Sequence, residues 1–325
     1  MLKRFKNTSV MKPVKVLYKK LRYGIYPSFA KPRYFLNNSK DSDSACFILA
    51  GYKQFTWDIV FERIKQFCPS HIDVCIVSSG IYSEELKQYA EKYCWSYISI
   101  KRNCVTQALN SAINCFPSAK NIFKIDEDIF ITKGFFEELP KAFSEASKEY
   151  FPAFSAPLIP INGYGYRRVL ERLNLVETYT KKFEYPKISA GIHIQVENNP
   201  EVAKFFWGEE NIVPQIDELN ALIQSENRGG VQLYGICPIR FSIGAIYFQR
   251  SLLDQYGWFP VRKGNGMGTD EEFICNLATS RSKAIVVSER QVVGHLSFGK
   301  QNKPMQEYFL ANKERFEIKE KENER

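Results

Sequence analysis

Three acids stand in a row inside an otherwise apolar stretch, Asn121-Ile-Phe-Lys-Ile-Asp-Glu-Asp-Ile-Phe-Ile-Thr132. Like charges crowded in an apolar setting are costly unless something compensates them. In an extended chain alternate side chains share a face. Asp126 and Asp128 therefore point one way and Glu127 the other. Two carboxylates on one side of a strand end suit a hard divalent cation, Mn²⁺ or Mg²⁺, which also takes phosphate oxygens. A solvated acidic turn is the plainer reading of the same residues. A second triplet, Asp270-Glu271-Glu272, follows the glycine-rich run Gly264-Asn-Gly-Met-Gly-Thr269. Carboxylates that open a helix are favoured by its dipole alone. If one of the three acids, Asp270, Glu271 or Glu272, faces a crevice, it has the chemistry of a general base for an attacking hydroxyl. Finally, His295 in Val292-Val-Gly-His-Leu-Ser-Phe298 follows an apolar run and a glycine, and is a candidate metal ligand.

These residues need a frame. Ala45–Ala50 is a short apolar run with a turn at Gly51, and Phe55–Phe67 carries apolar residues at helical spacing until Pro69. Ile72–Val77 is a second strand and Ser83–Tyr93 a second helix, with Ser83 as its N-cap. Tyr97–Ile100, Thr106–Asn114 and Ile122–Ile125 continue the alternation as strand, helix and strand. Strands alternating with helices over short loops predict a doubly wound α/β sheet. Such sheets bind ligands at the carboxyl ends of their strands. Those ends hold Ala50 and Gly51, Ser79, Arg102 and Asp126. The second half reads differently. Residues 151–235 are rich in Pro, Gly and aromatics and predict an insertion of irregular loops, in which Tyr164, Tyr166, Phe206 and Trp207 are candidate platforms for an acceptor sugar. Arg167 and Arg168 stand beside them for acidic groups or phosphate. A small second core is the alternative for these aromatics, and His193 reads as structural. Strand and helix return at Ile239–Phe248, Glu271–Ala278 and Ala284–Val287.

Bulk properties exclude some classes. The 325 residues are 44% hydrophobic, enough for a packed core and too apolar for disorder. Residues 1–40 hold eleven Lys or Arg and no Asp or Glu, against a formal charge of +9 for the chain, so the rest is close to neutral. The domain reading is a basic leader over 1–44, a catalytic domain over 45–303 and a charged tail over 304–325. The leader is read as a membrane-surface anchor on anionic lipid, with a solvated arm or a nucleic-acid arm as alternatives. No run is long enough to span a bilayer and no signal peptide is evident, which predicts a cytoplasmic protein, peripheral at the inner face of the membrane if the leader binds lipid. The eight cysteines lack metal-ligand spacing and read as free thiols.

Taken in order, the pieces resemble GT-A-fold glycosyltransferases, particularly the large inverting class called family two, from about Ala45 to Phe298. The carriers are ILAGYK, RNCVTQALNSAI leading to KIDEDIFI, RFSIGAIYFQRSLLDQYGWFP, TDEEF and GHLSF. The resemblance implies a GT-A doubly wound mixed sheet and a metal-dependent transfer from a nucleotide-diphosphate sugar to a glycan or lipid-linked hydroxyl, with inversion, in surface polysaccharide synthesis. It implies that Asp128 and His295 ligate Mn²⁺ or Mg²⁺, and that Asp126 reaches the metal or the nucleotide ribose. Asp270 matches the base, with Glu271 the alternate, while Arg102 and Asn110 match residues near the nucleotide. The chain departs from the pattern twice. Thr269 stands where the family has its first acid, and the second strand ends Val-Ser-Ser-Gly where the family places an Asp. Two other functions compete: a nucleotidyltransferase acting on a sugar phosphate, and a nucleotide-sugar or glycan binder without turnover. The first lacks a glycine-rich phosphate loop after its first strand, where only Ala50-Gly51-Tyr52-Lys53 stands. The second would not need the acidic triplet at Asp270.

Overall fold

The structure is a computed structural model that describes residues 26–191, 194–225 and 233–319. Among the described residues eleven strands follow in chain order: β1 Pro32–Leu36, β2 Ser44–Leu49, β3 Asp73–Ser79, β4 Ser96–Ile100, β5 Asn121–Asp126, β6 Ile129–Phe130, β7 Pro152–Leu158, β8 Tyr234–Ile236, β9 Ala245–Gln249, β10 Ala284–Val292 and β11 Gly294–His295. Nine of them make one mixed sheet in the order β1-β4-β3-β2-β5-β9-β7-β10-β8. The apolar runs β2 and β3 are buried along nearly their whole length because helices cover both faces of the sheet.

The chain runs outward from β2 through β3 to β4, then returns so that β5 lies on the other side of β2. β2 pairs in parallel with both β3 and β5, and Leu49 sits opposite Asp126 at the last rung. The crossovers are the helices Trp57–Phe67, Glu84–Tyr93 and Val105–Cys115. Ser83 caps the second of these by accepting a hydrogen bond from Leu86 N at 3.2 Å. A reversal of strand order leaves a crevice outside the carboxyl ends of the two strands that flank it. Here those strands are β2 and β5, so the crevice opens between Ala50–Lys53 and Asp126–Asp128.

Beyond β5 the sheet is mixed: β9 pairs antiparallel with β5, setting Lys124 opposite Ile246, while β7 and β10 pair in parallel. A separate two-stranded ribbon pairs β11 with β6, setting Gly294 opposite Phe130 and His295 opposite Ile129. Leu296 N donates to Asp128 O at 3.0 Å, which closes this ribbon against the acidic turn.

Several expected boundaries move. The end of the expected leader is part of the domain, because β1 pairs antiparallel with β4 as an edge strand. The rest of the leader, residues 1–25, lies outside the described residues, as does His193. The expected insertion of irregular loops begins with β7, a strand of the main sheet, and continues with helices Gly165–Arg172, Val176–Lys182, Gln195–Asn198, Pro200–Phe206 and Ile216–Ser225. The expected strand over 239–248 starts only at Ala245. The charged tail folds at least to its described end: the helix Asn302–Ala311 buries Met305 and Phe309, and Phe316 is fully buried beyond it. The anchor for that segment is Arg63, itself fully buried. It donates to Phe316 O at 2.9 Å, to Ile131 O at 3.0 Å and to both carboxylate oxygens of Asp217 at 2.9 Å. Among the described residues no helix is long and apolar enough to cross a membrane.

Candidate active site

The three acids of the opening stretch are compensated separately, each by a different part of the chain. Glu127 turns back into the body. Its carboxylate accepts from Gly51 N at 2.8 Å, from Tyr52 N at 3.0 Å and from the Trp57 indole at 2.6 Å. It therefore locks the turn after β2, a role that the sequence reading did not give it. Burial raises its pKa, and those donors oppose the rise.

Asp126 closes β5 and is held from its own strand. Lys124 lies two residues earlier, on the same face, and is fully surrounded by protein. Its ammonium sits 2.7 Å from Asp126 Oδ1, donates to Ile243 O at 2.8 Å and stands 4.0 Å from Asp270 Oδ2. Burial opposes that charge, but the two acids outweigh it and raise the Lys124 pKa. Asp126 keeps 34% of its side chain open. Desolvation pushes its carboxyl up to about 6, against the pull of Lys124.

Asp128 is almost closed off from solvent. A single oxygen, Oδ2, forms an ion pair with Lys53 and faces His295 Nε2 at 3.2 Å. Burial works against its charge, yet Lys53 and His295 hold the acid well below the usual carboxylate range. The β11–β6 ribbon brings His295 here. Trp207 packs over Gly294, where a Cβ would come within 2.2 Å of its ring, so only glycine fits before the histidine. The indole also donates to His295 O at 3.3 Å.

Asp270 and Glu271 open the helix Thr269–Ser280. The preceding loop turns through left-handed glycines at Gly264, Gly266 and Gly268, and Asn265 O accepts from Val105 N at 2.8 Å. The loop is thereby docked against the start of the helix Val105–Cys115, and Asp270 is set beside Lys124. Glu271 is ion-paired with Arg240, and burial raises its pKa against that pairing. Asp270 is buried at 4% exposure and is the second carboxylate that faces the Lys124 ammonium.

Other expected site residues are occupied by the scaffold. Ala50 is buried, and its N–H donates to Val77 O at 3.0 Å. Gly51 is committed to Glu127. Ser79 Oγ accepts from Cys104 N at 2.6 Å and so fixes the start of the Val105–Cys115 helix. Asn110 is fully buried and donates to Phe259 O at 2.8 Å and Ser28 O at 3.1 Å, a packing role in place of nucleotide contact. Arg102 stacks 3.6 Å over Tyr26 and donates to Arg262 O at 2.6 Å, while its Nη1 is buried without a partner among the described residues.

The aromatic platform is also a correction. Tyr164, Tyr166, Phe206 and Trp207 are all buried, the last between Phe130 and Phe316 with ring centroids 5.2 and 4.3 Å away. They are part of the main hydrophobic core, neither the expected platform nor a separate small core, and none of these faces has solvent to hold a sugar in. Arg168 pairs with Glu289 at 3.0 Å and Arg167 with Glu171 at 2.6 Å. One acid was missed. Glu197 accepts from Gly191 N at 3.1 Å and interacts with Glu271 and Arg240, and burial pushes its carboxyl up to about 7.

The donor chemistry fits a divalent cation. A carboxylate oxygen and an imidazole nitrogen 3.2 Å apart are a donor pair that a divalent ion such as Mn²⁺ accepts. The other ring nitrogen, Nδ1, is buried with no partner among the described residues, so the ring proton can sit there when Nε2 turns its lone pair to a cation in place of donating to Asp128. Among the described residues no three His, Cys, Asp or Glu are grouped so as to hold a metal ion, so Asp126 is not brought to Asp128 and His295 as a third ligand. An ion at Asp128 and His295 would therefore keep positions open for phosphate oxygens and water.

No family model matches the chain, and no curated protein does. Among solved structures, it is similar to GalNAc-T7 with UDP, GalNAc and Mn²⁺, at 13% identity and a TM-score of 0.45, over 81% of this chain and 45% of that one. It is also similar to the mannosyltransferase PcManGT from Pyrobaculum calidifontis in complex with GDP-Man and Mn²⁺, at 10% identity and a TM-score of 0.43, over 87% of this chain and 64% of that one. The chain thus spans less than half the length of the first and under two thirds of the second.

Proposed function

We propose that the chain is a GT-A-type glycosyltransferase, moving a sugar from a nucleotide-diphosphate sugar to a hydroxyl of a glycan or lipid-linked acceptor. One observation supports this above the others. The strand-order reversal between β2 and β5 opens onto Asp126 and Asp128, with His295 and Asp270 brought in from far along the chain. A nucleotidyltransferase gains no support, because the turn after β2 is locked onto Glu127 and leaves no phosphate loop.

In this reading Asp128 and His295 hold the cation, and Asp126, the most open of the three acids, faces the nucleotide. A bound Mn²⁺ or Mg²⁺ would stabilise the charge that develops on the leaving diphosphate. Asp270 takes the proton from the acceptor hydroxyl as it attacks the anomeric carbon, which inverts that centre. Glu271 is held by Arg240 and is the weaker choice of base. The buried surroundings of Asp270 and Lys124 exclude water from the attacking face. Residues 1–25 are assigned to an anionic membrane surface, and surface glycan synthesis is the setting that would use such an anchor.

The test is a panel of nucleotide sugars with Mn²⁺ or Mg²⁺, read as release of free nucleotide, with the product anomer assigned by proton coupling. Metal-dependent release that EDTA abolishes supports the proposal. Release that EDTA leaves unchanged, or none with any donor, rejects it. Vesicle flotation of the full chain against one beginning at Tyr26 tests the anchor, and equal flotation ends that assignment.

A further inference from the structure

Asp128 Oδ2 receives two donors, the ammonium of Lys53 and Nε2 of His295. A cation ligated by that oxygen and that nitrogen would stand beside the ammonium, and its charge would repel it. Oδ2 has lone pairs enough for both, so the conflict is one of charge: an ammonium beside a divalent cation opposes its binding. We propose that Lys53 is a resident counter-ion that makes cation binding at Asp128 and His295 conditional on the nucleotide. This rests on the proposed function, because it takes a nucleoside diphosphate as the incoming ligand.

The local structure says which part moves. The backbone on either side of Lys53 is fixed. Tyr52 N donates to Glu127 at 3.0 Å, and Lys53 O accepts from Thr56 N at 3.0 Å and from Thr56 Oγ1 at 2.7 Å. The side chain is different, with 26% of it open to solvent against 5% for Asp128. Its second acceptor, Asn302 Oδ1, is 3.4 Å away at the crevice mouth. A lysine is a point charge on a flexible stem, able to leave one anion for another while its backbone stays in place. A diphosphate entering at the end of β2 supplies that second anion. Lys53 then neutralises phosphate while Asp128 and His295 are freed for the cation, and the two ligands tighten each other reciprocally.

The experiment is Mn²⁺ binding followed by the electron paramagnetic resonance of the free ion, with MnCl₂ alone and with UDP or GDP. It compares the wild type with Lys53→Met and Lys53→Gln. The glutamine keeps a polar tip and guards against a failure of the methionine variant to fold, which thermal melts report. The wild type is expected to bind Mn²⁺ weakly alone and far more tightly with a nucleotide. Both variants should bind Mn²⁺ alone about tenfold more tightly than the wild type, the scale of a part-buried ion pair, and gain less from nucleotide. If both bind Mn²⁺ alone no more tightly than a wild type that does respond to nucleotide, the Lys53 inference is overturned and the proposed function stands. If the wild type binds no Mn²⁺ with either nucleotide, the metal-dependent reading fails and takes this inference with it.

Discussion

Replacing Lys124 with Met should extend to pH 7 and 8 a fall in stability that the wild-type Asp126 confines to below about pH 6. Lys124 is enclosed, with Asp126 at 2.7 Å and Asp270 at 4.0 Å. Removing one partner of such a pair leaves buried charge behind and costs about 3–5 kcal/mol. The chain has a way to limit the loss, because Asp126 is open enough to take up a proton. In the wild type its carboxyl is raised from 3.8 to about 6. The sign follows from proton counting. A carboxyl with a raised folded pKa binds more protons folded than unfolded, so stability falls as pH rises between the two values and is level above the higher one. Without Lys124 the upper limit moves beyond 6, and the fall continues through pH 7 and 8. One proton gives about 1.4 kcal/mol per pH unit, reduced to roughly 1 kcal/mol by the solvent access of Asp126. Urea unfolding of wild type and variant at pH 5, 6, 7 and 8 measures this directly. The gap should widen with pH, and Asp126→Asn in the Lys124→Met background should remove the widening. A constant gap would show that Lys124 acts only through packing.

Asp270→Asn should leave nucleotide binding intact and lower turnover by about 10²–10⁴-fold, as loss of a general base does; stopped-flow binding beside a nucleotide-release assay separates the two, and normal turnover would dismiss Asp270 as the base. Glu197, raised to about 7 by burial, should cost stability as pH rises from 4.5 towards 7. Glu197→Gln should therefore be more stable than the wild type at pH 8, by on the order of 1–2 kcal/mol, with the difference shrinking at pH 5, as thermal melts would record. Trp207→Ala removes a buried ring that roofs Gly294 and should cost about 3–5 kcal/mol. It should also weaken Mn²⁺ binding through the displaced His295, and unchanged binding would separate the roof from the site.

Much of the frame was legible because it is local. The strands from β2 to β5 and the helices between them follow from apolar periodicity and from stops such as Pro69. Their order placed Asp126 and Asp128 at a crevice before any contact was known. His295 was legible from its motif, but its route to Asp128 was not, since the β11–β6 ribbon joins segments 166 residues apart, at His295 and Ile129. The partners of the acids were missed for two reasons. Lys124 was within reach: the same period of two that aligned Asp126 with Asp128 also aligns Lys124 with them. Lys53 is a different case, because a turn lysine gains meaning only when the Leu49–Asp126 rung brings the turn to the acids. The aromatic insertion was misread for a related reason. Composition cannot distinguish a ring that stacks on a sugar from one that fills a core, and Trp207 is buried by Phe130 and Phe316 from distant segments. Asn110 and Ser79 sit where a ligand contact was expected, but the nearest backbone claims their side chains first.

The most direct test of the account is anomalous diffraction at the manganese edge from crystals soaked with MnCl₂ and UDP or GDP. The account predicts one strong peak within ligand distance of Asp128 Oδ2 and His295 Nε2, with the diphosphate beside it at the ends of β2 and β5. A nucleotide bound elsewhere, or a manganese peak that avoids both Asp128 and His295, would contradict it.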